Sequence, residues 1–223
     1  MPSFWRSNRS SIMVDLVIYS AYFVLLINLV LYTYSFFRLE KANVFFVFYL
    51  AFVFIMQFSL ELMYRFAMNN LFAINIFFIG QIILLGLFYR SILKYRQQKT
   101  FVTWSLVVTL LILGIQFCID FTQFLKFNLF AISITSLLIV VYALLHFYNM
   151  LTSNKEYYYF TIGVVFYLLT STILFLVGNL TIGLSNEFKL MSWTLNAFLL
   201  LAYYLFILFQ WKVSFSSKNK INI

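Results

Sequence analysis

Glu61 and Arg65 stand four residues apart in QFSLELMYRFAMNNLFAINIFFIGQ, the largely apolar stretch from Gln57 to Gln81. A carboxylate at i and a guanidinium at i+4 share one helix face, in the favoured order for a helical ion pair. Inside apolar sequence such a pair can do one of two things. It can lock its helix against a neighbour, here the second apolar span against the third. Or it can form part of a polar pocket together with other polar side chains that converge on it. The residues suited to that second role are Asn75, Gln81, Gln116, Trp193 and Asn196. With Glu61 and Arg65 they make up the candidate ligand pocket, and both readings stay open on the sequence.

Other chemistry finds little to work with. Cys118 is the sole cysteine and His146 the sole histidine, so neither a disulfide framework nor a His- or Cys-rich metal site is expected within the chain. His146 reads as a hydrogen-bonded interior group and Cys118 as an inert apolar residue. No zinc-protease, serine-hydrolase or nucleotide-loop motif is present. No catalytic residue, metal or cofactor is therefore assigned.

The elements that would carry these residues follow from composition. The chain has 223 residues, 64% hydrophobic and only 9% charged, with a mean hydropathy of +0.97. A soluble domain carries roughly 25% charged residues. So little charge cannot cover a water-facing surface, and the partner for most of that surface is a lipid bilayer. The apolar runs are about twice as long as barrel strands and do not alternate, so the fold expected is all-α. Seven spans are read, at about 12–37, 43–66, 70–94, 101–119, 127–151, 157–180 and 188–213. They form a single transmembrane domain with no soluble domain attached. The first span is too long for a signal-peptide core and lacks a small-residue cleavage site, so it is expected to be retained.

The formal net charge of +9 does not point to nucleic acid, because the basic residues sit at span ends. Seven spans put the termini on opposite faces. Arg6, Arg9, Arg65, Lys126 and Lys189 fall on the face of the N-terminus. Arg38, Lys41, Arg90, Lys94, Arg96, Lys99, Lys155, Lys212, Lys218 and Lys220 fall on the other. The positive-inside rule then expects the N-terminus outside and the C-terminus in the cytoplasm. The basic run RSILKYRQQK, with Arg90, Lys94, Arg96 and Lys99, is the candidate contact for a cytoplasmic partner.

Every span also carries polar residues at helical spacing. Gln57 continues the stripe of Glu61 and Arg65. Asn128, Thr135, Tyr142 and Asn149 recur every seven residues, as do Asn196, Tyr203 and Gln210. Ser105, Thr109, Gln116 and Asp120 fall on one stripe; Asp15, Tyr19 and Tyr22 lie in the first span. Tyr167, Thr170 and Ser171 lie between Gly163 and Gly178, which read as close-contact points. In hydrocarbon such groups turn inward and bond between helices, so most of the stripes are expected to be packing glue.

One resemblance emerges at the hairpin. Glu61, Asn69, Asn70, Asn75, Gln81, Phe88 and Tyr89, with YYYFTIGVVFYLLTSTILF and the Trp193–Asn196 spacing, resemble an uncharacterised group of seven-helix integral membrane proteins of Bacteroidetes. The resemblance implies the fold and topology, and with them a bacterial inner membrane. In that group the position of Gln81 is often Glu; the amide here removes an ionisable group. A retinal pigment is not expected, since the last span has lysines at its ends (Lys189 and Lys212) and none in its middle.

The function expected is that of a sensory, receptor-like membrane protein with a polar pocket on the outer face, signalling through a separate partner. The alternatives are a structural or accessory subunit of a membrane complex, bound to a membrane protein partner, or a small transporter.

Overall fold

The computed structural model describes residues 10–39, 42–152, 155–180 and 186–216. Arg6, Arg9, Lys41, Lys218 and Lys220, which enter the topology count, lie outside the described residues, and so does the side chain of Lys189.

Where water cannot reach, a backbone can satisfy its own N–H and C=O groups only by forming helices or a closed barrel. The long apolar runs become helices: α1 (Ser10–Leu39), α2 (Val44–Arg65), α3 (Leu71–Ile92), α4 (Arg96–Ile119), α5 (Leu129–Met150), α6 (Tyr158–Leu180) and α7 (Asn186–Trp211). All seven are long and apolar enough to cross a membrane. The protein is a multi-pass membrane protein by architecture, as its composition requires.

The expected boundaries hold except between the third and fourth spans. The expected basic loop over 90–99 shrinks to the turn 93–95, because α4 begins at Arg96 instead of 101. Hydropathy marks only the apolar stretch of a helix. Arg96, Gln97, Gln98 and Lys99 are good helix formers that continue the same backbone into the headgroup layer.

Six helices close into a ring. α1 packs on α2, α2 on α3, α3 on α5, α5 on α6, α6 on α7, and α7 back on α1. α4 lies outside, against α3 and α5. Its apolar window is 22% buried, against 50% for α3 and α5, which carry it. Lipid offers helices no hydrophobic drive to associate, so shape and hydrogen bonds must hold the ring. At its centre Phe46 of α2, Phe88 of α3 and Phe160 of α6 are fully buried, with ring centroids 4.6 Å apart for Phe46–Phe160 and 5.4 Å for Phe88–Phe160. Gly163 permits the close approach of α6 to α7: a Cβ there would stand 2.8 Å from Cβ of Phe206. Gly178, expected to do the same, would meet nothing within 4 Å among the described residues.

Polar side chains tie the ends. Asn28 Nδ2 donates to the Tyr204 carbonyl at 2.8 Å and Trp211 Nε1 donates to Ser35 Oγ at 2.8 Å, closing α1 on α7. Gln210 Oε1 accepts the Tyr159 N–H at 2.8 Å, and His146 Nε2 donates to the Glu156 carbonyl at 2.8 Å. The Tyr157 hydroxyl accepts the Asn43 N–H at 2.9 Å; burial pushes this phenol up to about 12, so it stays neutral. Asp120 caps the short 3-10 helix Phe121–Gln123. Hydrogen bonds from Thr122 and Gln123 hold its carboxyl below the usual value. Among the stripe residues Gln210 and the Ser105–Tyr142 pair bond between helices, whereas Asn128, Thr135 and Asp120 bond within their own segment.

α2 ends in a paired cap. The Met68 N–H reaches the Met63 carbonyl at 2.9 Å and the Ala67 N–H reaches Tyr64 at 3.1 Å. This geometry needs a left-handed residue, normally glycine, and Ala67 supplies it at φ 52°. Ala67→Gly is therefore expected to stabilise the protein by roughly 0.5–1 kcal/mol, after allowing for the greater freedom of the unfolded chain. A thermal melt in detergent checks this; an unchanged or lower midpoint would mean that the cap carries no strain.

Candidate functional site

Glu61 and Arg65 do form the pair that their spacing predicts, with Arg65 Nε donating to Glu61 Oε1 at 2.8 Å. The partner helix is different from the one expected. The pair fixes α2 to α1, not to α3, because Tyr19 of α1 completes it. The Tyr19 hydroxyl donates to Glu61 Oε1 at 2.9 Å and accepts from Arg65 Nη2. The guanidinium also sits over the Tyr19 ring, 5.8 Å from its centroid. The three groups close a small hydrogen-bonded circuit at the bundle end that carries Arg65. The Arg65 side chain there is 59% exposed, that of Glu61 22%.

A second polar group lies deeper, inside the ring. The Tyr49 and Tyr203 hydroxyls share a hydrogen bond of 2.8 Å between α2 and α7, with both residues buried. Tyr167 of α6 stacks on Tyr203, with centroids 4.9 Å apart and planes 13° from parallel. The adjacent Tyr204 ring lies 5.6 Å from that of Tyr203. Gln81 of α3 approaches the Tyr49 hydroxyl, and Gln57 of α2 approaches that of Tyr204. Gln81 and Tyr204 are buried, yet Gln81 Oε1 and the Tyr204 hydroxyl have no hydrogen-bond partner among the described residues.

Tyr22 of α1 lies against the first group, its ring centroid 6.3 Å from that of Tyr19. Its hydroxyl is within electrostatic reach of Glu61 and Tyr19 on one side and of Tyr167 and Tyr204 on the other. Polar side chains therefore run from the Arg65 end to the middle of an apolar bundle.

The remaining residues read from the sequence are distributed elsewhere. Asn75 Nδ2 donates to the carbonyls of Phe124 and Lys126, at 2.8 and 2.9 Å, and so pins the α4–α5 connection to α3. Gln116 belongs to α4, outside the ring; its Oε1 and Asn196 Oδ1 on α7 are both buried with no hydrogen-bond partner among the described residues. The Trp193 side chain lies outside the described residues. At the opposite end Arg90, Lys94 and Arg96 are exposed and Lys99 is half-buried.

Sequence reasoning had Gln57, Tyr22, Tyr167 and Tyr203 as stripe members and Gln81 as a pocket residue but did not join them, and it missed Tyr49 and Tyr204. A usable signal was present: Tyr203 and Tyr204 are neighbours on a helix, so one stripe cannot hold both. Two adjacent hydroxyls in mid-span imply two polar surroundings. No protein-family profile, curated protein or solved structure matches the chain.

A double-mutant cycle tests the central bond. Tyr49→Phe and Tyr203→Phe are expected to show a coupling of about 0.6 kcal/mol, and no more than roughly 1.7 kcal/mol, in unfolding from detergent. A coupling of zero would show that the two hydroxyls do not depend on one another.

Proposed function

We propose that this protein is a receptor-like membrane protein that takes a small, uncharged, hydrogen-bonding ligand into the tyrosine–glutamine group inside the ring. The ligand enters from the Arg65 end, and the helices pass the change to a separate partner at the basic Arg90 end. One observation carries this reading: Gln81 Oε1 and the Tyr204 hydroxyl are buried beside the Tyr49–Tyr203 bond with no hydrogen-bond partner among the described residues. An unmet polar group in such surroundings costs about 1–3 kcal/mol by protein mutational data. Ring closure by α7 gives such a site a lever, because α7 supplies both Tyr203 and Tyr204 and bonds to α1. A bound molecule that bridges Gln81 and Tyr204 spans α3 and α7 and shifts one against the other.

The membrane proposed is the bacterial inner membrane, with the Arg65 end outside. Arg38, Arg90, Lys94, Arg96, Lys99, Lys155 and Lys212 belong to one end, Arg65, Lys126 and Lys189 to the other, and the more basic end is the cytoplasmic one.

Native mass spectrometry of the protein extracted in mild detergent tests the ligand. Wild type is expected to retain a small-molecule adduct that Gln81→Leu loses. An adduct-free wild type, together with a higher melting temperature for Gln81→Leu, would show that the amide is only a cost to stability. Orientation is tested in a Cys118→Ser background with a membrane-impermeant thiol reagent on whole cells freed of their outer membrane. Thr122→Cys is expected to label and Gln97→Cys not; the reverse pattern overturns the orientation.

A further inference from the structure

A shallow, open depression of about 560 Å³ runs along the outward face of α1, lined by Asp15, Leu16, Tyr19, Ser20 and Phe23. It belongs to neither polar group inside the bundle, although Tyr19 borders both it and the Glu61–Arg65 pair. Its charges are arranged by depth. α1 and α2 run in opposite directions. Tyr19 of α1 bonds to Glu61 of α2, and Asp15 and Arg65 each lie four residues from that pair toward the same end of the bundle. Tyr19 and Glu61 each lie four residues further in, about 6 Å deeper at 1.5 Å per residue. Phe23 lies another turn down and is 64% exposed.

Asp15 is exposed and makes no hydrogen bond or ion pair among the described residues. Arg65 is only partly used. A guanidinium carries five N–H groups; Nε serves Glu61 and one N–H of Nη2 serves Tyr19, which leaves three. The depression thus presents the Asp15 carboxylate with apolar Leu16 and Phe23, and Arg65, which bonds to the Tyr19 that lines it, holds a cationic donor set beside it.

We propose that this depression is a site for one bilayer lipid whose headgroup carries a phosphate beside a primary ammonium, a phosphoethanolamine lipid. The phosphate oxygens accept from the spare N–H groups of Arg65. The ammonium donates to Asp15. An acyl chain lies along Leu16 and Phe23. Charge complementarity chooses this occupant. A lipid with a net-negative headgroup answers Arg65 but sets its charge against Asp15. One with a quaternary ammonium has no N–H to give the carboxylate. Because Tyr19 and Glu61 already engage Arg65, the guanidinium is oriented before any lipid arrives. The site does not rest on the receptor reading.

The test uses the full chain reconstituted in vesicles of equal parts phosphatidylethanolamine and phosphatidylglycerol. The protein is then extracted, and the lipids it retains are counted by native mass spectrometry. Wild type is expected to retain phosphatidylethanolamine about fivefold over phosphatidylglycerol, the equivalent of roughly 1 kcal/mol for a boundary ion pair. Asp15→Asn is expected to bring that ratio to near one with total retention kept. Arg65→Gln is expected to lower retention of both lipids. A wild type without preference, or a preference that survives Asp15→Asn, overturns the proposal. Asp15→Asn keeps size and shape at an exposed position, and a melt equal to wild type shows that its ratio reports headgroup binding and not loss of fold.

Discussion

In hydrocarbon a polar group has no water to return to, and nearly every feature of this bundle answers that constraint. It forces the backbone into seven helices. It turns Asn28, Gln210, His146 and Asn75 inward until each meets a carbonyl or an N–H of another segment. The same constraint removes the usual reason for packing, because an apolar side chain is as content in lipid as in a core. What holds the ring is therefore shape, as at Phe46, Phe88, Phe160 and Gly163, together with hydrogen bonds between helices. In the tyrosine–glutamine group Tyr49 and Tyr203 satisfy each other, while Gln81 Oε1 and the Tyr204 hydroxyl, like Asn28 Oδ1, Asn75 Oδ1 and His146 Nδ1, have no hydrogen-bond partner among the described residues.

Asn75 has the composition of a pocket residue, yet both its N–H groups are committed to the loop between α4 and α5, and it acts as a clamp. Glu61 and Arg65 have the composition of a buried active pair, but they lie at the end of the bundle and neutralise each other directly, with Tyr19 bonded to both. The tyrosine–glutamine group lies deeper, and its members are uncharged.

The fold could be read from the sequence because it depends on totals: run length and charge density. The i, i+4 pair could be read because helix geometry alone brings Glu61 to Arg65. Its attachment to α1 could not. Which helix lies beside α2 is a three-dimensional fact, and neither hydropathy nor period carries it. The same limit applies to Gln116. Its stripe is as regular as that of Asn196, but one belongs to a helix outside the ring and the other to a helix within it. Tyr49 went unnoticed because a single hydroxyl among many aromatic residues has no period to reveal it. The start of α4 was misplaced because Arg96 to Lys99 are polar in composition and helical in conformation.

The contact of α1 with α7 sets an order of events during synthesis. With an odd number of spans, the first and last helices run in the same direction, and their partners lie some 175 residues apart in the chain. Asn28, Tyr32 and Ser35 enter the bilayer at the start, but their partners Tyr204, Ile207 and Trp211 follow only at the end. Until then three polar side chains of α1 must be shielded by lipid headgroups, by water or by the insertion machinery. The earliest helix thus reports whether the latest has arrived, and a chain truncated before α7 would carry a polar seam open to the membrane.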